Sequence, residues 1–253
     1  MTNIAITGRR PGRWTFAAVL VAGLIAVEVV WLTTVVIAQN DIWTLGMDYR
    51  YYRDLGATWL AEGTFYQPYQ LDGPYAFTNM LDVLYPPHAL LLFVPAAILP
   101  AAIWWAIPIA GLLYGIRTVR PPRWTWLVML VFLAWPRAIG AYLFGNTDIW
   151  VAAAIMAGAA WGWPAALLVL KPTTLPFALL AWRRRSLWIG LAAMGLFALL
   201  MRQEMGQYIT AMRNLEIDPG YSLGSLPLYL VPVTAASGAW LERRRSRPLG
   251  GGS

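Results

Sequence analysis

Two aspartates, two arginines and three tyrosines fall within the eleven residues GMDYRYYRDLG, residues 46–56. A carboxylate such as Asp48 becomes a usable proton acceptor where lowered dielectric tunes it for general-base work. The bland alternative is a solvated residue paired with Arg50 or Arg53. Tyr49, Tyr51 and Tyr52 suit an interfacial aromatic belt, or equally a stacking surface for a sugar. Asp54 follows Arg50 at the spacing of an i, i+4 ion pair if the run is helical. Lys171 is the only lysine in the chain and stands within AALLVLKPTTLPFALL. A cation among such residues marks a functional contact, and an ammonium holds phosphate as a compact point charge. His88, the only histidine, follows two prolines in LYPPHALLLF, where proline favours a helix start. Both a structural and a catalytic role are open to it. In FGNTDIW, Asp148 stands at the mouth of a helix, with Asn146 and Thr147 placed to cap its start.

The elements that must position these groups are apolar. The 253 residues are 59% hydrophobic and 12% charged, with a net charge of +7. A soluble domain carries roughly 25% charged residues, so the composition predicts an all-α, multi-pass transmembrane chain. Residues 14–38 are almost free of charge and long enough to span a bilayer, for which about 20 residues suffice. They are too long for a signal-peptide core and lack a small-residue cleavage site, which predicts a retained first helix. The chain has no cysteine, which excludes disulfides and cysteine-based metal sites, and one histidine excludes a multi-histidine site. The arginines fall in short clusters beside apolar runs: Arg9, Arg10 and Arg13, then Arg117, Arg120 and Arg123, then residues 183–185, then residues 243–245 with Arg247. That distribution marks cytoplasmic loops rather than a nucleic-acid surface.

With all four clusters inside, both termini are cytoplasmic and residues 1–245 form one membrane domain of about seven or eight membrane segments. Residues 39–87 become a large outer loop holding half of the chain's 12 acids. Residues 88–116 return as a short surface helix and a kinked span, broken by Pro95, Pro100 and Pro108. Residues 124–135 cross outward, 136–148 form an outer turn, and 149–163 come back. Residues 164–182 begin and end inside. They are expected as a re-entrant pair broken near Lys171, because Pro172 disfavours helix at that lysine; one full span that violates the charge rule is the alternative. Residues 187–201 exit, 202–226 form a second outer segment with an amphipathic helix over 204–215, and 228–241 return. Residues 246–253 read as a flexible tail.

In order along the chain stand D-Y-x-Y-Y at residues 48–52, WLAEGTFYQPY at 59–69, YPPHALLLFVPAAILP at 85–100, GNTDIWVAAAI at 145–155 and LKPTTLPFALL at 170–180. This series resembles the polyprenyl-phosphate-dependent GT-C type glycosyltransferases of the glycosyltransferase 87 family, whose relatives include mannosyltransferases of cell-envelope glycolipids. The resemblance implies a GT-C-like fold and a catalytic aspartate in the first outer loop, mapping to Asp48. It implies inverting transfer of a sugar, mannose or arabinose, from a polyprenyl phosphate to a glycolipid or glycan acceptor at the outer face of the plasma membrane. Lys171 and Arg137 become candidates for steadying the donor phosphate, with Arg50 and Arg53 as alternatives. Tyr49, Tyr52, Tyr85, His88, Asn146 and Asp148 become substrate-binding candidates. No cofactor beyond the donor lipid is implied, and a divalent metal is left open. Members of the family are longer, and here the carboxy-terminal part is compressed to residues 187–241.

That compression keeps a second class open: a non-catalytic relative that binds or translocates a polyprenyl phosphate or glycolipid, with a possible partner subunit. An ion-coupled transporter would place acids inside spans or repeat its halves, and Glu28 is the only acid within an apolar run.

Overall fold

A computed structural model describes residues 45–76, 82–216 and 223–246, together with parts of 19–34. The described residues are mostly helical. Of the first apolar run, α1 is described over Val21–Val30. The expected tail, apart from Ser246, lies outside the described residues.

The acidic segment after α1 is folded rather than loose. It contains α2 (Met47–Glu62), α3 (Pro68–Asp72) and the short strand β1 (Tyr75–Ala76). A 3-10 turn at Pro87–Ala89 then leads into α4 (Leu90–Ile98), where the two prolines set the helix start as their fixed φ requires. Leu99 and Pro100 are extended and end it. α5 (Ala101–Val119) carries Pro108 inside and closes on Arg120 in the left-handed conformation.

α6 (Arg123–Leu133) follows. Residues 136–148, expected as an outer turn, instead begin with α7 (Pro136–Phe144), bent 72° from α6. Pro136 occupies the first helical turn after an extended Trp135, and Gly145 stops the helix with φ 74°. Proline at the start and glycine just past the end bound a real helix, which a turn reading of PRAIGAYLF overlooks. α8 (Asp148–Trp161) is buried on nearly every side, as expected of an all-round apolar helix at the centre of a bundle.

Two 3-10 segments come next, Trp163–Leu170 and Pro172–Ala181, divided at Lys171, whose backbone is neither helical nor turn-like (φ −135°, ψ 85°). Lys171 Nζ meets Asp148 at the first residue of α8, at 2.5 Å. Beyond the second segment, Ser186 Oγ donates to Trp161 O at 2.7 Å, and Arg184 donates to Ala159 O at 3.2 Å, both at the last turn of α8. The pair therefore leaves the end of α8, climbs its full length, and returns to where it began. The two segments form a hairpin whose break falls at Lys171, the residue before proline. Runs of 3-10 helix this long are uncommon; their greater rise, about 2.0 Å per residue, carries eight residues about 16 Å along α8, and the long Lys171 side chain covers the remaining distance to Asp148.

α9 (Arg185–Leu200) climbs back and bends by 90° into α10 (Arg202–Asn214). β2 (Leu215–Glu216) pairs in parallel with β1, Tyr75 opposite Leu215, and Asn214 Nδ2 donates to Gln70 O at 3.0 Å. The two segments read as outer thus pack on each other. α11 (Leu226–Arg245) descends to the opposite pole. There Arg117 and Arg120 share one cleft with Arg243, and Arg183 and Arg184 share another with Arg243 and Arg244. Three of the four arginine clusters gather at one end, and the acidic elements at the other; the first cluster lies outside the described residues.

Among the described residues, α5 can cross a membrane by length and composition, and the bent pairs α6–α7 and α9–α10 raise the number to three if each is one span. The other apolar helices among the described residues are 10–17 residues long. Large apolar side chains face outward along α9: Ile189 is 71% exposed, Leu199 72% and Leu200 75%.

α2 approaches α4 through Gly56, where a methyl group would collide with the carbonyl oxygen of Phe93. Gly56→Ala is expected to destabilise the protein by about 1–3 kcal/mol through overpacking, read as a lowered melting temperature of the detergent-solubilised chain. An unchanged melting temperature would show that this contact does not set the α2–α4 spacing.

Candidate functional site

The site forms where α2, α7, α8, the hairpin tip and the start of α11 meet. Gly46 N donates to Leu143 O at 2.9 Å, tying the start of α2 to the end of α7. Gly46 (φ 67°) and Gly145 (φ 74°) both turn the chain in the left-handed region, which a side chain resists. The indoles of Trp104 and Trp105 donate to Gly145 O and Tyr142 O, at 2.8 and 2.7 Å, and brace the turn from α5. This brings Asp48 to Asn146, whose Nδ2 donates to Asp48 Oδ2 at 2.6 Å.

Asn146 has a second task. Its Oδ1 accepts from Asp148 N at 3.0 Å, satisfying a free amide at the start of α8. Capping, expected of both Asn146 and Thr147, falls to Asn146. Thr147 makes no cap bond; its hydroxyl shares a hydrogen bond with Tyr85 at 2.8 Å, and Tyr85 shares one with Tyr52 at 3.0 Å.

Asp148 is the hub. Its side chain is 5% exposed and its Oδ1 accepts from Lys171 Nζ and from the Tyr229 hydroxyl, each at 2.5 Å. Ser225 Oγ donates to Oδ2. A buried carboxylate is tolerated only when its lone pairs are met in this way. Asp48, Asn146, Asp148 and Lys171 consequently form one unbroken hydrogen-bonded chain. It joins the proton-accepting candidate to the internal cation across more than a hundred residues of sequence.

Asp48 is half-buried, and its Oδ1 has no hydrogen-bond partner among the described residues. Burial holds its carboxyl above the usual range, and the charge of Asp148 adds to this; the Asn146 hydrogen bond and Lys171 oppose it. The arrangement can present one oxygen of a weakly acidic carboxyl to a hydroxyl while the other is fixed in place.

The other candidates take different positions. Tyr49 is buried against Trp104 and Trp105, with ring centroids 5.8 and 5.2 Å away, and Tyr52 stacks on Phe93 at 4.7 Å. Both build the floor under Asp48. Arg50 Nη1 donates back to Leu45 O at 2.7 Å, and Arg53 pairs with Asp54 at 2.7 Å in an exposed position. The expected Arg50–Asp54 pair is replaced by Arg53–Asp54, although the helix that would allow it is present, because the Arg50 guanidinium reaches the helix start. The Arg137 side chain lies over Gly224, the residue before Ser225, at the edge of the hub. His88 lies buried at α9, Nε2 3.0 Å from Met194 O, with its ring beside Phe197; Nδ1 has no hydrogen-bond partner among the described residues. Ser225 and Tyr229 were not candidates. The only signal for them was that a buried Asp148 would need donors, and nothing in SLGSLPLY says which hydroxyls arrive.

Removing the Asn146 donor should raise the Asp48 pKa further, since that bond favours the charged form. Any proton transfer to Asp48 needs the deprotonated carboxylate, so if Asp48 serves as a general base the acidic limb of the pH–activity profile should move to higher pH in Asn146→Ala. A limb that stays in place would remove Asp48 as the group seen in the profile.

Comparison with family models, with curated proteins and with solved structures finds no match to this chain.

Proposed function

We propose that this chain is an integral membrane glycosyltransferase that moves a sugar, mannose or arabinose, from a polyprenyl phosphate to a glycolipid or glycan acceptor outside the cytoplasm. The observation that carries the reading is the bonded chain from Asp48 through Asn146 and Asp148 to Lys171. A proton acceptor and a cation for phosphate are the two things such a transfer requires of a protein, and here they are held together. The resemblance of the sequence motifs supplies the substrate class.

In the proposed reaction the acceptor hydroxyl gives its proton to Asp48 Oδ1. Its oxygen forms a bond to the anomeric carbon, on the face opposite the phosphate. The anomeric carbon–oxygen bond to the phosphate breaks, and its electron pair leaves with the polyprenyl phosphate, which gains one negative charge. The Lys171 side chain, 20% exposed, and Arg137 are the proposed cations that offset that charge. Asn146 fixes Asp48, and Asp148 fixes Lys171.

Membrane placement is supported by the outward apolar side chains and by the gathering of arginines at one pole. Because the chain has no cysteine, single cysteines report sidedness cleanly. Arg53→Cys should react with an impermeant maleimide on intact cells, and Ser246→Cys only after permeabilisation. The reverse pattern would invert the topology.

The chemistry is tested by supplying the purified protein in nanodiscs with polyprenyl-phosphate sugar or nucleotide sugar. Transfer from the former alone is expected. Lipid binding or movement without a new glycosidic bond would instead favour a non-catalytic carrier, in which the Asp148–Lys171 pair simply grips the phosphate.

A further inference from the structure

At the pole opposite the site, the hairpin's end, the last turns of α5 and α8, and α11 enclose a cleft of about 470 Å³. Four guanidinium groups reach it, Arg183, Arg184, Arg243 and Arg244, and no acid lines it. None of the four is paired with a carboxylate among the described residues. Glu242 belongs to the neighbouring cleft, with Arg117, Arg120 and Arg243. Like charges brought this close repel one another unless an anion is shared between them.

Two of the arginines are oriented by indoles. Arg244 lies over the Trp240 ring at 3.9 Å and Arg183 over Trp182 at 5.0 Å. A guanidinium held over a ring by cation–π attraction keeps N–H donors for an anion, and its planar fork suits phosphate oxygens. Trp182 and Trp240 are themselves about half exposed, at 54% and 47%. Below the cations the wall turns apolar, with Leu179 and Leu180 facing outward at 68% and 38%. Cations above, tryptophans at the boundary and aliphatic surface below reproduce the profile of a phospholipid, from phosphate to acyl chain.

We infer that this cleft binds the phosphate headgroup of an anionic phospholipid, seated between the hairpin end and α11. The inference rests on membrane placement but not on sugar transfer. The bound headgroup bridges the base of the hairpin to α11, and Lys171 stands at that hairpin's tip.

The test uses the full-length protein in a non-ionic detergent, where no membrane surface charge acts, with phosphatidylglycerol titrated in and binding read by native mass spectrometry. Phosphatidylglycerol should be retained in preference to phosphatidylcholine. Arg243→Gln with Arg244→Gln should weaken it by about thirtyfold, the effect of two basic residues at an anionic headgroup. Arg117→Gln with Arg123→Gln, at the same pole but outside the cleft, should leave it within about threefold. Arg244→Lys keeps the charge but loses the fork, and is expected to lie between. Equal retention of the two lipids, or equal loss in both double variants, would overturn the assignment. Displacement of the lipid by millimolar inorganic phosphate would reassign the cleft to a free anion and overturn it equally.

Discussion

Asp48→Asn is expected to lower kcat for sugar transfer by about 10²- to 10⁴-fold, the usual contribution of a positioned general base. The melting temperature should hardly move. The replacement is isosteric and keeps an oxygen to accept the Asn146 hydrogen bond, 2.6 Å long in the native protein. Burial already disfavours the charged carboxylate, so removing that charge costs the fold little. Donor binding should also persist, because the cations named for the phosphate are untouched. A fall in kcat with KM near its native value would locate the loss in the chemical step. Retained turnover would remove Asp48 as the base and leave the bonded chain a purely structural device.

The second large effect concerns stability. Breaking the Asp148–Lys171 pair by changing either partner should cost about 3–5 kcal/mol, because the partner left behind is a buried, uncompensated charge. Asp148→Asn leaves the Lys171 ammonium without its direct carboxylate partner, and Lys171→Met leaves a carboxylate that only Ser225 and Tyr229 still satisfy. The double variant has no orphaned charge and should lose clearly less than the sum of the two. The loss should concentrate in the hairpin, whose tip the pair pins to α8, and appear as faster amide exchange over residues 163–181. Strict additivity of the two single effects would show that the groups do not interact.

What could be read from the sequence differs by residue. Lys171 stood out because an isolated cation in an apolar run followed by proline has few explanations, and the chain does break there. Its partner could not be read. Asp148 precedes it by more than twenty residues, and only the long 3-10 climb of the hairpin brings the two level. Asn146 was legible as a cap from its place before a helix, whereas its grip on Asp48 depends on two left-handed glycines and two indoles from elsewhere. The α7 helix was hidden because glycine and proline in PRAIGAYLFG look like turn residues unless their order is weighed. The Arg50–Asp54 spacing was sound helix geometry, overridden by a nearer carbonyl. Composition and apolar run length thus marked the chain as helical, and the site emerged from tertiary contacts that no local pattern encodes.

The most direct measurement is the anomeric configuration of the product made when the purified wild-type chain in nanodiscs receives a polyprenyl-phosphate sugar of defined anomer and a lipid-linked acceptor. Single displacement with Asp48 as base predicts a glycosidic bond of inverted configuration. No product, or a product of retained configuration, would contradict it.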